Sequence, residues 1–119
     1  MTAGLVSVSF RGLSPSEVIR AAREAALTGI EWGADVHVPA GDVSAAKRVG
    51  GETRAVGLRV LAYGSYYKPG VSPAEEFDGV LASAVGLRAP VIRVWAGNKG
   101  SASATAEAWR RTADDAARI

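Results

Sequence analysis

The sequence predicts an α/β fold built as four βα units in a row. This is a (βα)4 half of a (βα)8 barrel, with parallel strands in the order 1-2-3-4 and helices on the outer face. Three observations carry the prediction. Four strand-like segments, residues 5–10, 30–38, 58–64 and 91–96, are each followed by a helix-like stretch. A glycine precedes each strand: Gly4, Gly29, Gly57 and, ahead of a longer lead-in, Gly86; the last three lie about 28 residues apart, a normal length for one βα unit. Polar side chains alternate with apolar ones in the second and fourth strands, as at the mouth of a barrel. The central strands of a doubly wound sheet are covered on both faces and read as continuous apolar runs. Right-handed crossovers then set successive strands side by side.

The first helix opens on Ser14-Pro15-Ser16-Glu17. Serine at the N-cap and glutamate three residues on can satisfy each other's free amides, and proline at the first helical position loses no hydrogen bond. Val18, Ala22, Ala25 and Ala26 form its apolar stripe, and Gly29 is the expected left-handed terminator. In the second strand Ile30, Trp32, Ala34 and Val36 occupy the helix-facing side, while Glu31, Asp35 and His37 occupy the other. Asp42 caps the second helix. Gly50-Gly51 inside it predicts a weakened or broken helix, because each glycine costs about 1 kcal/mol relative to alanine. Ser72-Pro73-Ala74-Glu75 repeats the capping pattern for the third helix, with the stripe Phe77, Val80, Leu81 and Ala84 and with Gly86 as terminator. In the fourth strand Ile92 and Val94 alternate with Arg93 and Trp95. A fourth helix from about Ala104 carries the stripe Trp109, Ala113 and Ala116 and runs to Ile119 with no capping glycine. That ending predicts a truncated or partial barrel; a short domain with a terminal helix is the plainer alternative. Trp32 and Trp109 are expected in the helix-facing core.

Composition narrows the function class. The 119 residues suffice for one domain with a core, and 48% hydrophobic with 22% charged residues is ordinary for a globular protein. Fourteen basic against 12 acidic side chains leave a net charge of +2, too balanced for a nucleic-acid binder. The absence of cysteine excludes disulfides, thiol catalysis and Cys-ligated zinc. Neither a signal peptide nor a membrane-length apolar run is visible, so a cytoplasmic location is the default expectation. The segment Phe10-Arg11-Gly12-Leu13-Ser14 is not a dinucleotide fingerprint, and there is no P-loop.

Three segments carry a family resemblance. Residues 30–39, reading IEWGADVHVP, residues 57–67, reading GLRVLAYGSYY, and residues 89–101, reading APVIRVWAGNKGS, resemble the second, third and fourth strands of sugar-phosphate isomerases/epimerases. These belong to the xylose-isomerase-like TIM-barrel superfamily. The run Arg93-Val94-Trp95-Ala96-Gly97 after Ala89-Pro90 is the most specific part. The resemblance covers essentially the whole chain, as the N-terminal half of such a barrel. It implies a sugar or sugar-phosphate substrate at the C-terminal ends of the strands. It also implies a divalent metal ion (Mn, Mg, Co or Zn) that assists proton transfer between adjacent carbons. The relatives' ligands, Glu, Asp, His and Glu, come from later strands, so the resemblance places the metal ligands beyond residue 119 and none in this chain.

The candidate site residues are those of the first half. His37, at the polar face of the second strand's end, is the one catalytic candidate; it would bond a substrate hydroxyl or act as an acid or base, a task suited to histidine near neutral pH. Its plainer role is a locally bonded loop histidine. Glu31 is expected to pair with Arg93 inside the lumen rather than to catalyse, and Asp35 lies nearer the mouth. Arg93 would orient an anionic or hydroxyl-rich ligand through its planar fork, or hold Glu31. Trp95, Tyr66 and Tyr67 would stack on a sugar or pack in the core. Lys99, in the loop Gly97-Asn98-Lys99-Gly100, would meet a phosphate or stand in a solvated turn.

Two function classes follow. In the first the chain is the substrate-contacting half of a sugar isomerase/epimerase. In the second it is a non-catalytic half-barrel that binds a small polyol or a protein partner. A DNA-repair endonuclease of the same superfamily is disfavoured by the missing histidines and the lack of a basic groove. Two unpaired strand edges predict a homodimer, or completion by a missing C-terminal half.

Overall fold

A computed structural model describes residues 3–119. Among these residues, four parallel strands form one sheet in the order β1-β2-β3-β4: β1 Gly4–Val6, β2 Gly29–Gly33, β3 Arg59–Gly64 and β4 Ile92–Arg93. Helices α1 Pro15–Glu24, α2 Val43–Ala55 and α3 Glu76–Leu87 alternate with the strands, and α4 Ala106–Arg118 follows β4. The predicted (βα)4 topology and strand order are therefore present.

Register explains where the core lies. Leu5 pairs with Ile30 and Ile30 with Val60; Trp32 pairs with Tyr63 and Tyr63 with Ile92. Parallel partners in register point to one face. That face meets Val18 and Ala22 of α1, Ala46 and Val49 of α2, and Val80, Ala84 and Leu87 of α3 in a single apolar cluster. Each such side chain contributes about 1.5–3 kcal/mol by leaving water. Trp32 is fully buried as expected, and its indole N–H donates to Thr53 Oγ1 of α2 at 3.1 Å. The opposite face carries Glu31, Gly33, Gly64 and Arg93. There Leu61 lies so close over Gly4 and Gly29 that a Cβ would come within 2.3 and 2.7 Å of it.

Strand lengths depart from expectation. The segment 5–10 is strand only to Val6; Ser7–Phe10 winds into a 3-10 turn. The cause is Ser7, whose buried hydroxyl oxygen accepts the Gly33 amide at 2.9 Å and draws the chain across the end of β2. The segment 30–38 leaves the sheet at Gly33, and the Val38 amide turns back to the Gly33 carbonyl at 3.2 Å. Val36 is consequently exposed rather than helix-facing. The segment 91–96 is strand only over Ile92–Arg93, after which the Trp95 amide bonds the Tyr67 carbonyl at 2.9 Å.

The helix signals divide similarly. The Ser14–Glu17 capping box forms as predicted, with the Ser14 amide donating to Glu17 at 2.7 Å. Along α1 the buried stripe is Val18, Ile19 and Ala22, while Ala25 and Ala26 are exposed beyond the last turn. The second box does not form: Ser72 Oγ accepts from the Lys68 amide instead, and α3 begins at Glu76. Neither Gly29 nor Gly86 terminates a helix; Ala26 (φ 54°) and Arg88 (φ 57°) take the left-handed positions. Gly86 stays within α3, where a Cβ would lie 3.0 Å from Ala46 Cβ of α2. Nor does α2 break at Gly50-Gly51. Gly50 lets it approach α3 so closely that a Cβ would lie 2.7 Å from the Leu87 carbonyl oxygen, and Arg54 adds a hydrogen bond to that carbonyl at 2.7 Å. The contact offsets the propensity cost that the sequence alone displays. Trp109 is 52% exposed instead of core, because α4 buries none of its residues.

Candidate functional site

The C-terminal ends of the strands gather two side-chain clusters. The first spans β2, β3 and β4. Arg93 Nε donates to Glu31 Oε1 at 2.8 Å across Gly64 of the intervening strand. Gly64 is required there, since a Cβ would lie 2.6 Å from both Arg93 Nη2 and Glu31 Oε1. The pair expected from the sequence is thus formed, with Glu31 the more enclosed partner. The Arg93 guanidinium also stands 5.5 Å from the centre of the Trp95 ring, a cation–π arrangement that holds the half-exposed indole at the rim.

The second cluster joins three loops. Arg11, in the turn after β1, pairs through Nε with Asp35 Oδ2 and donates through Nη2 to Tyr66 Oη at 2.6 Å; Tyr66 Oη in turn donates to the same Asp35 oxygen at 3.2 Å. Burial pushes the Asp35 carboxyl upward, but the Arg11 hydrogen bond, the Val36 backbone amide and the Arg11 charge, with a smaller contribution from Tyr66, outweigh it and hold the group below the usual aspartate range. Asp35 Oδ1 is buried with no hydrogen-bond partner among the described residues. Tyr66 is 43% exposed, with its hydroxyl engaged inside the cluster.

The remaining candidates lie elsewhere. His37 is in the turn after β2, not on the strand, and is almost fully buried. Its Nε2 lies 3.0 Å from the Leu13 carbonyl, which can only accept, so Nε2 carries the proton. Nδ1 then accepts from the Ser7 hydroxyl at 3.1 Å, and the ring rests edge-on against Trp32. Both nitrogens are engaged, and His37 ties β1, β2 and the loop before α1 together. Tyr67 is buried, stacks edge-on with Phe77 and donates to Asp115 of α4 at 2.8 Å. Lys99 is exposed in its loop. Tyr66, Asp35, Glu31, Arg93 and Trp95 therefore share one end of the sheet, whereas His37 and Tyr67 serve packing.

Arg11 was not among the residues singled out from the sequence. Its only signal there is position, a lone arginine in the first βα loop, and its partners lie 24 and 55 residues away. Ser7 was hidden inside a predicted strand. Among the described residues no group of three or more His, Cys, Asp or Glu side chains is placed to hold a metal ion. The one histidine has no free nitrogen, so the side chains present do not fit the ion that the resemblance implies, and no chemical step is derived through it. No helix among the described residues is long and apolar enough to cross a membrane.

What the arrangement can do follows from its chemistry. A planar guanidinium, an indole edge, a phenol and carboxylates at one rim offer donors, acceptors and apolar ring surface to a small hydroxyl-rich molecule. Compared with known protein families, characterised proteins and solved structures, the chain finds no match in any of the three.

Proposed function

We propose that this chain forms the substrate-contacting half of a sugar or sugar-phosphate isomerase/epimerase barrel. One observation supports the reading above the rest: the Arg11–Asp35–Tyr66 cluster and the Glu31–Arg93–Trp95 cluster sit at the same, C-terminal end of adjacent parallel strands. Barrels of this architecture bind their substrates at that end. Tyr66 and Trp95 would cover the apolar face of a sugar, Arg93 would bond its hydroxyls or a phosphate, and Lys99 would neutralise a phosphate from the rim. The divalent ion and the proton transfer rest on the family resemblance, with ligands expected outside this chain. For the other half we propose, in the isomerase reading, a C-terminal half that carries the ligands, and, in a reading without catalysis, a second copy. β1 and β4 are parallel edges at opposite sides of the sheet, so a two-fold axis along the barrel would pair each edge with the other's partner.

A second reading, a half-barrel that binds a polyol without catalysis, is favoured by His37, whose ring nitrogens are both occupied by Ser7 and Leu13. Two measurements separate these. Two-dimensional NMR during titration with neutral sugars and with sugar phosphates should move the Tyr66, Trp95 and Arg93 signals together. No movement with either ligand class at millimolar concentration would defeat both readings. Turnover of a bound sugar with Mn or Mg once a C-terminal half carrying the ligands is supplied would select the isomerase; sugar binding by a homodimer without turnover would select the polyol binder. Light scattering at micromolar concentration should report a dimer, and a stable monomer with both edges protected from exchange would refute the second-copy assembly.

A further inference from the structure

Helix α4 is held differently from the other three. Helices α1–α3 each bury an apolar stripe against the sheet, whereas no residue of α4 is buried and its stripe of Trp109, Ala113 and Ala116 faces no core. Its attachment is polar and local. Asp115 Oδ2 accepts from Tyr67 Oη at 2.8 Å and from the Gly70 amide at 2.9 Å; Asp115 Oδ1 accepts from Arg118 Nη2 at 2.7 Å, and the same nitrogen donates to Tyr67 Oη at 2.8 Å. The helix backbone lies against Gly70, where a Cβ would be 2.8 Å from the Thr112 nitrogen.

A seat fit for an apolar helix stands open beside it. Between α3 and β4 runs a groove of about 380 Å³ lined by Phe77, Leu81, Val85, Val91 and Val94. Leu81, Val85 and Val91 are 48%, 67% and 56% exposed. Ile119, at the end of α4, already lines this groove. A right-handed βα repeat sets each helix beside the preceding one on the same face, and for the helix after β4 that place is this groove. Residues 94–105 join β4 to α4 and span up to about 40 Å when extended, enough to let a helix about 20 Å long reorient.

We propose that α4 has a second seat in the α3–β4 groove and that the Asp115 latch holds it out of that seat. The occupant is this chain's own helix, because Ile119, directly after it, already lines the groove and its tether reaches. Latched, α4 stands against the Tyr67–Gly70 loop and beside Gly97, at the end of the sheet where the two clusters lie. Seated, it would cover Leu81, Val85 and Val91 with Trp109, Ala113 and Ala116. Two polar and apolar arrangements then compete, and breaking the latch moves the balance.

The chain has no cysteine, so a Leu81→Cys/Ala113→Cys pair reports the seated state through disulfide formation. Adding Asp115→Ala removes the acceptor at the centre of the latch, and the yield of the intramolecular disulfide should rise about tenfold. In a Trp95→Phe background, where the other remaining tryptophan, Trp32, is fully buried, Trp109 emission should shift to shorter wavelength in the same variant without the cysteines. An unchanged disulfide yield, cross-links between chains only, or Trp109 emission that stays put or moves to longer wavelength would overturn the proposal. If Asp115→Ala loses its far-ultraviolet helix signal, Tyr67→Phe, which removes a single donor, replaces it. A rise of a fewfold is then expected, and no rise overturns the proposal equally.

Discussion

Gly50→Ala sets two physical effects against each other. Glycine inside a helix costs about 1 kcal/mol relative to alanine, so propensity alone predicts that Gly50→Ala and Gly51→Ala both stabilise α2 by about that amount. Packing treats them differently. A Cβ on Gly51 would meet nothing within 4 Å, whereas on Gly50 it would lie 2.7 Å from the Leu87 carbonyl oxygen and 3.1 Å from Leu87 Cα. Those atoms are backbone in the last turn of α3, so the clash cannot be relieved by rotating a side chain, and the two helices must move apart. Overpacking of this kind costs about 1–3 kcal/mol, and separation also stretches the Arg54 hydrogen bond to Leu87. Gly51→Ala should therefore stabilise by up to about 1 kcal/mol, and Gly50→Ala, with the overpacking and the loss of about 0.5–1.5 kcal/mol from the Arg54 bond set against the propensity gain, should destabilise by about 0.5–3 kcal/mol net. Urea unfolding measures both. With a slope of about 1–3 kcal/mol/M, the two midpoints should differ by about 1 M or more, in opposite directions from the parent chain. Equal stabilisation by both substitutions would refute the close α2–α3 approach.

Three further outcomes are expected. Burial pushes the Tyr63 phenol up to about 12 despite the neighbouring Ser83 hydroxyl, so folding favours its protonated form; the associated stability should be whole below the ordinary tyrosine pKa near 10 and fall as pH rises toward 12, a loss that Tyr63→Phe should abolish in alkaline unfolding curves. Asp35, held below the usual aspartate range, should contribute stability above that range and lose it as the pH falls; acid unfolding of Asp35→Asn should lack that component, and an identical acid profile would remove the Arg11–Asp35 pair from consideration. His37→Ala should cost about 1–3 kcal/mol in unfolding experiments, because it strands the Leu13 carbonyl and removes the Ser7 contact, and a change under about 0.5 kcal/mol would show that the tie is idle.

The Glu31–Arg93 pair shows how far strand alternation reaches. Once both segments are strands of a parallel sheet, an acid on β2 and a base on β4 fall on the same face, and Gly64 between them is the one residue without a side chain to obstruct the bond. Arg11 shows the opposite. It meets Asp35 and Tyr66 because three separate loops bend toward one another, and no local pattern encodes that bend. His37 was placed at the mouth by extending the alternation four residues past Gly33; the Ser7 hydroxyl, capturing the Gly33 amide, ends the strand and turns the imidazole inward.

What the sequence by itself determined is what near neighbours along the chain decide: the βα order, the Ser14 capping box, the buried positions Val18 and Ala22 of α1 and Phe77, Val80 and Ala84 of α3 (but not Ala25, Ala26 or Leu81, which are exposed), and through right-handed crossovers the strand order 1-2-3-4. Tertiary structure decided what depends on distant approach. It kept α2 whole through Gly50, because Leu87 of another helix needs the space. It put the left-handed turns after α1 and α3 at Ala26 and Arg88 rather than at Gly29 and Gly86, and it left Trp109 in water, because the stripe of α4 specifies an apolar surface without specifying which groove receives it. Helix periodicity and capping are settled within a few residues; close packing is settled by which distant backbone occupies the same volume.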